Sequence, residues 1–161
     1  LDPAPLAKPD IGVAVSLAVL LKVSVMLYLV GYVSSLIVFG AADAVWLSIT
    51  GPLLYKPVLG DILLPGVRVG PAIAFYAMYP VGILIFAVLP GVRGGSAGTA
   101  LLLGLLFGAI AYATYDLTNF ATLRNWTLQI VVVDIVYGAV ATGVAAAAAW
   151  AVGRWGGYKV G

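Results

Sequence analysis

Four runs of about 20 apolar residues each divide this chain, every one long enough to cross the ~30 Å of a bilayer's hydrocarbon as a helix. The first runs roughly from Val25 to Thr50 and should stop at Gly51-Pro52. The second covers about Val69 to Leu89 and should end at Pro90-Gly91; the third runs from Ala97 to Leu123, and the fourth from Trp126 to Val152. A tight turn around Arg124-Asn125 makes the last two an antiparallel helical hairpin. The pattern predicts an all-α, polytopic membrane protein of four transmembrane helices with a short N-terminal helical extension. Its divisions are residues 1–24, 25–153 (the transmembrane domain) and a polar tail, 154–161.

Two stretches fit this scheme less simply. The apolar run from Ile11 to Thr50 is 40 residues long, which as a helix would reach ~60 Å, twice the hydrocarbon thickness. Ile11 to Leu21 is therefore expected to be an interfacial or tilted extension ending near Lys22 and Ser24, or a contact surface for another subunit. The loop Gly51–Arg68 is apolar for a loop and broken by prolines, so it should lie on the membrane surface or cap the bundle.

Against this apolar background the polar positions stand out. Asp43, Asp116 and Asp134 sit inside spans that carry no lysine or arginine. A carboxylate at the centre of a span costs roughly 2.5–3.5 kcal/mol on insertion scales, so such residues face a protein interior or a watery cavity. Asp43 and Asp116 come shortly before the ends of odd spans, and Asp134 shortly after the start of an even one. All three should then share one end of the bundle, on the order of 10–12 Å below the surface. The same reckoning brings Tyr76 and Tyr79 into that layer. Tyr112, Asp116 and Asn119 share an arc of about 60° on the third span. Asp134 pairs with Tyr137 on the fourth and Asp43 with Trp46 on the first. Lys56, Arg68 and Arg124 lie near the same end as candidate headgroup-binding cations. Gly104 and Gly108, and the run Ala145–Ala149, are read as permitting close helix contact.

Composition narrows the chemistry. The 161 residues are 63% hydrophobic and only 9% charged, whereas soluble domains carry about 25% charged residues, so this is an integral membrane protein. With no cysteine and no histidine, disulfides, thiolate chemistry, haem ligation and imidazole acid–base sites are excluded. A net charge of +2 is too small and dispersed to suggest nucleic-acid binding. Basic residues, counted by side, favour both termini on the cytoplasmic or matrix-like face. Trp150, Trp155 and Tyr158 beside Arg154 and Lys159 form an interfacial anchor. The chain opens on Leu1, so either a targeting segment has been removed or the chain was trimmed.

The segment Ala111-Tyr-Ala-Thr-Tyr-Asp-Leu-Thr-Asn-Phe-Ala-Thr-Leu123, then Trp126 and Val133-Asp-Ile-Val-Tyr-Gly138, resembles a family of small bacterial membrane proteins, domain of unknown function 2177. Asp43-Ala-Val-Trp46-Leu resembles the family's first-helix motif, and the likeness covers roughly Met26 to Ala149. It implies four spans and a functional role for Asp43, Asp116, Asn119 and Asp134, and it imports no activity. The chain departs from the family by its extension before Met26 and by Tyr137 in place of an expected tryptophan. An extension before a bacterial-like core suggests an organellar membrane, such as the mitochondrial inner membrane, with the bacterial inner membrane as the alternative.

Three functional readings are open. The leading one is an accessory or scaffold subunit of a larger membrane assembly, its partners other membrane proteins and lipids, with a polar cluster able to bind phospholipid. The second is a lipid-modifying enzyme holding a divalent metal on its aspartates. The third is a small proton-linked transporter or binding protein.

Overall fold

The computed structural model describes residues 11–156, and these are helical almost throughout, with no strand among them. The expectations for residues 1–10, and for Tyr158 and Lys159 in the anchor, lie outside the described residues. Helix α1 spans Ile11–Thr50, α2 Lys56–Leu59, α3 Val69–Ile83, α4 Leu89–Arg93, α5 Ala97–Thr122 and α6 Leu128–Trp155. Four stretches are long and apolar enough to cross a membrane: Val25–Leu59, Val69–Arg93, Ala97–Thr122 and Leu128–Trp155.

Helix boundaries differ from the sequence expectation where proline is expected to act as a stop. Past Thr50 the chain does not leave the helix at Gly51-Pro52 but widens into a π-turn over Gly51–Tyr55, with the Lys56 N–H donating to the Gly51 carbonyl. It runs on through α2 and a 3-10 turn at Gly60–Ile62. The second span behaves alike: a π-turn at Leu84–Val88 joins α3 to α4 and carries the helix past Pro90 to Arg93. Proline removes a single N–H and crowds the carbonyl one turn back. The wider i→i+5 turn re-registers the neighbouring carbonyls and accommodates the ring.

At the N-terminal side α1 is a single helix of 40 residues, unbroken at Lys22 and Ser24, where the extension is expected to end. No glycine or proline lies between Val13 and Val30 to interrupt it. Its early turns leave Val15, Leu17, Val19, Leu21 and Val25 exposed.

α6 is the most enclosed span and packs against α1 and, most extensively, α5. α3, the π-turn after it and α4 complete the bundle beside α1 and α5. The α5–α6 hairpin is tight because small residues face one another. A Cβ added to Gly104 would meet the Ala146 Cβ and Gly143 Cα at 2.9 Å, and one on Gly108 would overlap the Gly138 carbonyl and the Thr142 side chain. Both helices are capped by hydroxyls: Ser96 accepts from the Thr99 N–H and Thr127 from the Ile130 N–H, each at 3.3 Å. At the opposite end from the aspartates, the Trp150 indole N–H donates to the Gly91 carbonyl at 3.0 Å, and Arg154 lies over the Trp150 ring. Trp155 is exposed.

Gly108→Val should destabilise the protein by about 1–3 kcal/mol through overpacking, read as a lower midpoint of thermal unfolding in nonionic detergent. Gly40→Ala, with nothing within 4 Å of the added Cβ, should unfold like wild type. Equal midpoints for both variants would show that hairpin contact is not set by Gly108.

Candidate functional site

The carboxylates lie where α1 and α5 end and α6 begins, under the cap formed by residues 51–62. Each is buried: Asp43 is 6% exposed, Asp134 4% and Asp116 0%. Buried carboxylates demand partners, because an unpaired one costs far more in a low-dielectric interior than in water.

Two of the three are partnered by tyrosine hydroxyls. Asp43 of α1 accepts from Tyr76 of α3 through Oδ2 and from Tyr137 of α6 through Oδ1, the latter at 3.3 Å. Asp134 of α6 accepts from Tyr55 of the cap at 2.6 Å. The Tyr55 oxygen in turn accepts from the Trp46 indole N–H at 3.1 Å. Trp46 stacks on Tyr137, with ring centroids 4.0 Å apart and planes 6° from parallel. The two hydrogen-bonded groups are thereby joined, and together they tie α1, α3, α6 and the cap. Intramembrane hydrogen bonds of this kind each contribute about 0.6–2 kcal/mol.

Asp116 stands apart. It is fully enclosed, yet among the described residues neither oxygen has a hydrogen-bond partner, and the buried Trp126 indole N–H also lacks one. The Trp126 indole acts on Asp116 from beyond hydrogen-bond geometry, and Asp134 lies within electrostatic reach. A buried polar group left unsatisfied costs roughly 1–3 kcal/mol.

The other expected cluster members divide. Tyr79 turns toward the middle of the bundle and shares a hydrogen bond with Thr142 at 2.8 Å rather than joining a carboxylate. Tyr112 contributes its ring, edge-on to Tyr137 at 6.0 Å and to Tyr79 at 6.5 Å. Asn119 is half-buried, and its carbonyl accepts from the Leu123 N–H, while its side chain makes no hydrogen bond among the described residues. Lys56, Arg68 and Arg124 are exposed at this end and do not partner the aspartates. Helical spacing does not single out Tyr55, Trp126 or Thr142 as members of the site. Tyr55 carries a detectable signal, as the lone hydroxyl in the apolar stretch Gly51–Leu59. Among the described residues no three carboxylates come together in a way that could hold a metal ion. Asp43 and Asp134 are each held by their own tyrosines, and Asp116 accepts no hydrogen bond among the described residues.

On the membrane-facing side a shallow, apolar groove of about 420 Å³ runs between α1 and α6, lined by Trp46, Val132, Val133, Val136, Tyr137 and Val140. Two of these, Trp46 and Tyr137, also belong to the hydrogen-bonded network.

Fold and site together define a polytopic, four-span membrane protein with carboxylates housed among aromatic hydroxyls near one membrane face. Residues 28–151 match the family DUF2177, predicted membrane protein, and the chain belongs to that family. No curated protein and no solved structure matches it.

Tyr76→Phe and Tyr55→Phe should each lower stability by about 0.6–2 kcal/mol, as thermal unfolding in detergent would show. Asp116→Leu should leave stability unchanged or raise it by about 1–3 kcal/mol, whereas Asp43→Leu, which strands two tyrosine hydroxyls, should lower it. A strongly destabilised Asp116→Leu would mean that this carboxyl has a structural partner after all.

Proposed function

We propose that this protein is a membrane-embedded binding protein that takes a ligand from the lipid phase and holds it against the Trp46–Tyr137 pair. One observation carries the reading: the same two rings line a groove open to the bilayer and belong to the network around Asp43 and Asp134. A lipid-phase molecule could lay its apolar part along Val132, Val136 and Val140 and bring its polar part to the rings. Binding is favoured over catalysis because the chain has no histidine or cysteine and no grouped carboxylates for a metal among the described residues.

A second reading, an accessory subunit of a larger membrane assembly, rests on a separate observation. α1 is about twice the length a bilayer requires, and its early turns present Val15, Leu17, Val19, Leu21 and Val25 to the outside. Another membrane subunit packed there would cover them.

Native mass spectrometry of protein extracted gently with its own lipids tests both. Binding predicts a stoichiometric small molecule on wild type that is lost from Val136→Trp, a substitution at a position 57% exposed that fills the groove. Only bulk lipid, in bulk proportions, on both forms would overturn it. A stoichiometric complex with other proteins, lost on deleting residues 1–24, would establish the accessory role; a free chain would remove it.

A further inference from the structure

The sign of charge around the groove narrows the ligand. Every buried charged residue among the described residues is a carboxylate, while each described lysine and arginine is exposed. Bonded to the residues at the head of the groove are Asp43 and Asp134, which Tyr76, Tyr137 and Tyr55 hold, with Trp46 joined to Tyr55. Asp116 is wholly buried and accepts no hydrogen bond among the described residues, with the Trp126 indole and Asp134 within electrostatic reach. Asp134 accepts from Tyr55 through Oδ1. An anionic group seated at the head of the groove would meet carboxylates with no buried cation to offset them. A cation would meet aromatic faces, which attract it, with negative groups behind them.

We propose that the groove between α1 and α6 binds a lipophilic cation, an amine or quaternary ammonium carried on an apolar chain. The chain lies along Val132, Val136 and Val140, and the charged nitrogen rests on the Trp46–Tyr137 pair, in front of Asp43 and Asp134. This rests on the binding reading above and adds the class of ligand. Stacked rings at the head of the groove screen the carboxylates from the hydrocarbon and leave it apolar, so access is from the bilayer. The arrangement also explains the clustering of aromatic hydroxyls: they hold the carboxylates in place while the rings face the ligand.

The test uses the full chain in lipid nanodiscs, titrated with dodecyltrimethylammonium and, separately, with dodecanol, following intrinsic tryptophan fluorescence and subtracting the partitioning measured in empty nanodiscs. The ammonium should saturate at about tenfold lower concentration than the alcohol, within the range of a desolvated cation–π contact. Val136→Trp should abolish saturation, and Asp43→Asn with Asp134→Asn should bring the ammonium's half-saturation up to that of the alcohol. Equal half-saturation for ammonium and alcohol on wild type would overturn the cation while leaving lipid-phase binding intact. No saturable response to either ligand would overturn both. Unchanged ammonium binding in Val136→Trp would overturn the location, and a preserved ammonium preference in the double asparagine variant would overturn the electrostatic basis. Thermal unfolding of each variant separates lost binding from lost fold.

Discussion

In hydrocarbon a polar group finds its partner inside the protein or not at all, and Asp43 organises its surroundings under that constraint. Its two oxygens take hydroxyls from different helices, Tyr76 of α3 and Tyr137 of α6. Asp134 draws Tyr55, and with it the cap, down onto the start of α6. Apolar packing against lipid gives little preference for one helix arrangement over another, since lipid tails are as apolar as leucine. Directional hydrogen bonds supply that preference. The α5–α6 hairpin relies on a different means, the close approach allowed by Gly104, Gly108 and Gly143.

The residues that tie the helices together are also the ones at which the proposed ligand would rest. Trp46 and Tyr137 hold the network together on one side and face the bilayer on the other. A ligand resting on them would bear on the bonds that position α1 and α6. Asp116 is enclosed with the Trp126 indole and Asp134 within electrostatic reach, and among the described residues it accepts no hydrogen bond.

Much of the architecture is legible in the pattern of residues. Spans of apolar residues can be read because the bilayer sets their length. The common depth of the aspartates can be read because helical rise converts residue counts into distance. Tyr76 and Tyr137 fall in the right layer by the same means. The expected stops at proline fail, since Pro52 and Pro90 are accommodated by π-turns whose bonding pattern depends on neighbouring carbonyls rather than on proline itself. Tyr79 is expected in the cluster from its depth and Asn119 from helical spacing, and neither depth nor a shared face reports which neighbour a side chain meets.

Membership in a four-span membrane class, the exclusion of imidazole and thiol chemistry, and the presence of carboxylates near one end all come from residue identity and order along single helices. These are local quantities, fixed by composition and by rise per residue. Which hydroxyls Asp43 and Asp134 take, and that Asp116 takes none among the described residues, depend on how helices rotate and approach one another. Tyr55 reaches Asp134 across 79 positions in the chain, and no periodicity within one helix encodes a contact made between two.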